Sequence, residues 1–204
     1  MRVKICGITN LEDALLAIEA GAHALGFVFY ENSPRYIAPS EAAKIIDQLP
    51  PLVQTVGLFV NKSVLEIDDI CDVSKIGLAQ IHFEADEHIY NNLKSKHLKV
   101  IRAKSKEDIL QFSDEYRLID AYVDGFGGKG KRIALEWFDG IDCSKIILAG
   151  GLNAENLPEL DGYNFYGVDV SSGVERTFGI KDKNKMFDFV KAVGKLEKKK
   201  KTTY

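Results

Sequence analysis

The chain has 204 residues, 46% of them hydrophobic and 28% charged, with a formal net charge of -3. That balance suits a soluble globular protein with a core of its own and supplies no basic field for nucleic acid. No apolar run is long enough to span a bilayer, and the opening MRVKICG has no apolar signal-peptide core, so a cytoplasmic location and no membrane partner are expected.

In chain order, short β-branched runs alternate with helical patterns. VKICGI (3–8) reads as a buried strand, and Asn10 as the N-cap of a helix over LEDALLAIEA that Gly21 ends. ALGFVFY (24–30) is a second strand, followed by a helix after Pro39. VQTVGLFV (53–60) precedes the helix SVLEIDDICDV, and LAQIHF (78–83) precedes DEHIYNNLKSK. KVIRAK (99–104) pairs with KEDILQFSDEY, and AYVD (121–124) with a short helix near LEWFDGI. KIILAGGL (145–152) leads into NAENLPEL, and YGVDVSS (166–172) into DKNKMFDFVKAVGK.

Eight strand–helix units in strict alternation imply a parallel sheet, and continuous apolar strands imply burial on both faces. Units that consume the whole chain favour a closed (β/α)8 barrel over an open doubly wound sheet, as a single α/β domain over 1–196. The lysine-rich 197–204 reads as a solvated, disordered tail.

In such a barrel the chemistry belongs to the loops after the C-terminal strand ends. Cys6 falls at the end of strand 1 and Asp124 at the end of strand 6. A cysteine beside positive charge serves as base or nucleophile, and an aspartate in a dry pocket as general acid. Together across a phosphorylated sugar they would suit a sugar isomerase. AGGLN and DVSSGVE, after strands 7 and 8, are phosphate-loop candidates through Gly150, Gly151, Ser172 and Gly173, although tight turns without a ligand have the same composition.

Arg35 in NSPRY is either a surface charge or a substrate clamp, and His82 either a core histidine or a site residue. Cys71 lies in a helical pattern and Cys143 at the wrong end of strand 7, so both read as packing residues. The three cysteines match no zinc spacing, and no metal is expected. GFGGKGKR (125–132) fits two glycine fingerprints for nucleotides, but it lacks their context. It reads better as an active-site loop.

KICGIT, GFVFY with SPRY, VGLFVN, QIH, AGGLN and VDVSSGVE, in that order, resemble the phosphoribosylanthranilate isomerases of tryptophan biosynthesis. The resemblance covers nearly the whole chain. It implies an Amadori rearrangement of N-(5-phosphoribosyl)anthranilate without a cofactor. In it Asp124 protonates the furanose oxygen and Cys6 removes the C2 proton. It also implies that Arg35, His82 and Asp169 line the substrate, with Arg35 toward the anthranilate carboxylate, and that other tryptophan-pathway enzymes are possible partners. The chain departs from the family at Phe83, at Lys129 and in a short loop after Asp124. A histidine-pathway aminoaldose isomerase, a catalytically silent phosphate-binding barrel and a nucleotide-binding protein are the alternatives. The first would need an aspartate where Cys6 stands.

Overall fold

The computed structural model describes residues 1–121 and 132–202. Eight parallel strands close into a barrel in sequence order. They are β1 (Arg2–Cys6), β2 (Ala24–Val28), β3 (Gln54–Phe59), β4 (Leu78–Ile81), β5 (His97–Ala103), β6 (Arg117–Ala121), β7 (Ile146–Leu148) and β8 (Gly167–Val170). β8 returns to β1 with Val3 opposite Val168 and Lys4 opposite Asp169. The expected (β/α)8 barrel is therefore the fold.

The outer layer is less regular than the sequence suggests. α1 (Leu11–Ala20), α2 (Pro39–Ile46), α3 (Val64–Ser74) and α4 (Glu87–Asn92) follow the first four strands. Asn10 caps α1 by accepting from the Asp13 amide at 2.8 Å, and Gly21 ends it in a left-handed turn at φ 105°. Ser63 and Glu66 form a reciprocal capping box on α3. After β5, β6 and β7 the expected helices shrink to single 3-10 turns at Glu107–Leu110, Leu135–Phe138 and Leu157–Leu160. Asp108 shows why the first is short: its carboxylate accepts from the Lys104 and Ser105 amides, which ties the segment into a turn.

An antiparallel hairpin absent from the sequence reading follows β8, with β9 (Glu175–Thr177) paired to β10 (Ile180–Lys181). α5 then runs Lys183–Thr202, so the helix continues through lysines for which the sequence predicts a solvated tail. No helix among the described residues is long and apolar enough to cross a membrane.

Side-chain alternation along the strands divides the core. Val3, Ile5, Phe27, Phe59, Ile81, Ile119, Val168 and Val170 point outward into the layer beneath the helices. Leu98, Val100, Leu118 and Ala149 fill the barrel interior, packed by Leu78 and Ile147. The interior positions nearer the strand C-termini are polar instead, and that change makes the site.

Candidate active site

Cys6 closes β1 opposite Gly26 of β2 and is 5% exposed. Lys4, two residues earlier, shares its face and donates to Asp169 Oδ1 at 2.9 Å, with both partners buried. Burial opposes charge on Lys4, but Asp169 and then Cys6 more than offset it, and the ammonium is held above its ordinary pKa. The sequence reading passed over Lys4, although a lysine in the middle of a fully buried strand is a signal in its own right.

Strand 6 differs from its expected position. The sequence suggests 121–124, whereas β6 is Arg117–Ala121 and pairs in register with β5, Arg102 opposite Asp120. Strand pairing thus begins four residues before the expected 121, and 122–124 lie outside the described residues. Arg117 anchors the start: it is 1% exposed and donates to the Ile109 carbonyl at 2.9 Å. Asp124 and most of GFGGKGKR lie outside the described residues. Arg132, the last of that stretch, pairs with Glu159 at 2.7 Å.

The carboxyl that β6 carries to the mouth is Asp120, a residue the sequence reading missed. Its side chain accepts from the Ala121 amide at 2.8 Å. Burial, followed by the nearby Asp169 charge, pushes it up to about 6, against the pull of that hydrogen bond, Arg102 and Lys4. A carboxyl with that value divides between acid and base near neutrality.

His82 stands one residue past β4 with Nε2 3.7 Å from Asp120 Oδ2. Burial, helped by Arg102 and Lys4, lowers it to about 4, so the ring is neutral at physiological pH and the contact is no ion pair. Its Nδ1 is buried without a hydrogen-bond partner among the described residues, as are Gln80 Oε1 and Ser171 Oγ. The geometry thus puts His82 at the mouth rather than in a satisfied core position.

Arg35 is no surface charge. Its Nε and Nη2 each donate at 2.7 Å to Glu175 of β9, and Phe178 lies over its guanidinium at 5.3 Å. Lys181 of β10 donates to the same Glu175 at 3.0 Å. Gly7 admits this cluster: at φ 79° a Cβ there would stand 2.6 Å from Arg35 Cδ.

The loops after β7 and β8 lie side by side. Gly150 and Gly151 have positive φ, 91° and 62°, and Asn156 donates to the Gly151 carbonyl at 2.9 Å. Ser172 and Gly173 sit in a 3-10 turn after β8, where a Cβ on Gly173 would lie 1.9 Å from the Leu152 carbonyl oxygen. Glycine is required there for loop contact, whatever the loops bind. Cys71 and Cys143 are buried away from the site, and burial pushes the Cys71 thiol up to about 11. No group of acidic, histidine and cysteine side chains suited to a metal occurs among the described residues.

A thiol, a carboxyl poised near neutrality and a neutral imidazole, gathered at the C-terminal mouth beside glycine-rich loops, define a (β/α)8-barrel enzyme of acid–base chemistry. The family model for N-(5'phosphoribosyl)anthranilate (PRA) isomerase matches residues 3–192. An N-(5'-phosphoribosyl)anthranilate isomerase of Nitratiruptor sp. is 63% identical over 190 residues, spanning 93% of this chain and 97% of that protein. The phosphoribosyl anthranilate isomerase of Thermotoga maritima superposes with TM-score 0.88 at 36% identity, over 96% and 99% of the two chains. A phosphoribosyl anthranilate isomerase in complex with reduced 1-(o-carboxyphenylamino)-1-deoxyribulose 5-phosphate matches with TM-score 0.83 at 35% identity, over 95% and 99%. The chain belongs to the PRA isomerase family.

Proposed function

We propose that the chain converts N-(5-phosphoribosyl)anthranilate to 1-(2-carboxyphenylamino)-1-deoxyribulose 5-phosphate, with Cys6 as base and Asp120 as acid. Protonated Asp120 gives its proton to the furanose ring oxygen, and the C1–O bond breaks as the amine nitrogen pushes in to form a Schiff base. Cys6 takes the proton from C2, leaving an enolamine. Protonation at C1 and loss of the O2 proton then yield the ketone. The oxidation at C2 is matched by the reduction at C1, so the rearrangement needs no cofactor.

The observation that carries this reading is the position of Asp120, a carboxyl raised to about 6 at the same mouth as Cys6. Asp124, the acid expected from the sequence, lies outside the described residues. Asp169, Lys4 and neutral His82 would face the sugar hydroxyls. Arg35 would offer Nη1 to the anthranilate carboxylate, because Glu175 holds its other edge. The phosphate would sit on the loops of Gly150, Gly151, Ser172 and Gly173, beside the unpartnered Ser171 hydroxyl. The same reading places the enzyme in the cytoplasm, with the other enzymes of tryptophan biosynthesis.

The test follows loss of anthranilate-type fluorescence from phosphoribosylanthranilate made in situ. Wild type is expected to decay it far above the spontaneous rate. Cys6→Ala and Asp120→Asn should each lose at least about a hundredfold in kcat, and Asp124→Asn much less. Loss in Asp124→Asn with turnover kept in Asp120→Asn would move the acid to Asp124. No decay above background in wild type would remove the function.

A further inference from the structure

We infer that Phe178 is a specificity-determining residue of this site: its ring, standing over the Arg35 guanidinium at the rim of the mouth, forms the wall against which the benzoate ring of the substrate packs. The inference rests on the proposed role of Arg35 as the clamp for the anthranilate carboxylate, and adds what recognises the ring itself.

The turn between β9 and β10 puts Phe178 there. Thr177 pairs with Ile180, so Phe178 and Gly179 make up the whole turn. Gly179 takes its left-handed position at φ 76°, which leaves the other position to phenylalanine. The turn is pinned to the loops after β1 and β2. Thr9 Oγ1 donates to the Gly179 carbonyl at 2.5 Å, and a Cβ on Gly179 would stand 3.2 Å from the Pro34 carbonyl oxygen. Phe178 is therefore held beside Arg35 by backbone contacts that owe nothing to its own side chain.

Its ring is used on one side only. Arg35 Cζ lies 5.3 Å from the ring centroid, within cation–π range. The arginine is 5% exposed, whereas the phenylalanine is 67% exposed. Tight turns favour small or polar residues, and a phenyl ring at this one leaves most of its apolar area in water. Single exposed apolar side chains are common, but this one is set over a buried cation at the rim of a site.

The guanidinium sets the geometry. It is planar, and Glu175 takes its Nε and Nη2 edge with two bonds at 2.7 Å. A carboxylate on the remaining edge would lie near the guanidinium plane. An amino-benzoate held in this way carries its ring just beyond that edge, beside the phenyl ring over the guanidinium face. Aromatic pairs attract at centroid separations of about 4.5–7 Å, a range open to a ring in that place. Clamp and wall would then read the two parts of the benzoate, one its charge and the other its ring. A phosphosugar without an aromatic group would meet neither.

The test compares three ligands by calorimetry: 1-(2-carboxyphenylamino)-1-deoxyribulose 5-phosphate, its phenylamino counterpart without the carboxylate, and ribulose 5-phosphate. Phe178→Ala should bind both aromatic ligands about tenfold more weakly than wild type and ribulose 5-phosphate equally well, with Phe178→Tyr restoring the loss. In turnover, Phe178→Ala should raise KM about tenfold and change kcat less than about threefold. Unchanged binding of the aromatic ligands by Phe178→Ala would overturn the inference. A loss confined to the carboxylate-bearing ligand would overturn it too, since Phe178 would then act only by orienting Arg35. Failure of the underlying reading shows in wild type instead: binding the carboxyphenylamino sugar no more tightly than ribulose 5-phosphate would remove the Arg35 clamp and the wall together.

Discussion

Arg35 and Glu175, 140 residues apart in the chain, share two hydrogen bonds of 2.7 Å inside the protein. Lys181, fully buried at its side chain, adds a third bond to the same carboxylate. One carboxylate thus neutralises two cations that have left water. The pairing also fastens the loop after β2 to the β9–β10 hairpin that follows β8, on either side of β1.

Glu175→Gln should therefore destabilise the fold by about 3–5 kcal/mol in urea unfolding, because it strands two buried cations. Burial alone would raise the Glu175 pKa, but the bonds to Arg35 and the Lys181 charge bring it below the usual 4.5. Its stabilising contribution is then fully present above about pH 4.5 and lost as pH falls below that value. The variant's stability should accordingly vary less steeply with pH in that acid range than wild type's.

Asp120 carries the opposite sign. Its folded-state pKa lies at about 6 against an ordinary 3.8, so the fold resists its ionisation. The penalty is absent below about pH 4, grows between the two values and is complete above pH 6. Asp120→Asn should be more stable than wild type at pH 8 by about 3 kcal/mol, and near parity at pH 4, while losing turnover. Equal stability across that range would show that the carboxyl is not strained toward its acid form.

His82, lowered to about 4, should remain neutral wherever the enzyme works. Its imidazole resonances are expected to show no titration between about pH 5.5 and 8, unlike an ordinary surface histidine. His82→Gln keeps a neutral polar side chain at the mouth. It should leave the shape of the kcat/KM pH profile unchanged while raising KM.

Gly173→Ala tests the loop contact. The new Cβ would meet the Leu152 carbonyl oxygen at 1.9 Å, so the loops after β7 and β8 must separate. Expected outcomes are a drop of about 2–3 kcal/mol in stability and a KM raised at least tenfold, with kcat affected less. An unaltered KM would place the substrate phosphate elsewhere.

The barrel was legible because alternation of apolar strands and helical patterns survives in composition, and seven of the eight strands fall on the expected runs, β6 beginning four residues early. Cys6 was legible because a cysteine followed by glycine at the end of strand 1 marks a position as well as a residue type. Asp120 was not: it sits inside the apolar run LIDAYV, and only pairing with β5, Arg102 opposite Asp120, shows that the strand already includes it. The short segments after β5 and β7 illustrate the complementary failure. Asp108, Asn153 and Asn156 spend their side chains on local backbone amides, which helical spacing does not reveal. The hairpin of β9 and β10 was hidden for another reason. Its purpose lies in contacts to Arg35 and Asp13 far back in the chain, where Lys181 donates its backbone N–H to the Asp13 carboxylate at 2.8 Å.

The bond from Lys4 to Asp169 spans 165 residues and lies on the seam where the first strand meets the last. Lys4 exists once the first few residues are made, yet the carboxylate that receives it arrives only when β8 docks, with only β9, β10 and α5 still to follow. A nascent chain therefore carries an ammonium on its first strand without its buried counter-ion for most of its synthesis. Closing the ring and pairing that charge become a single event near the end of the chain.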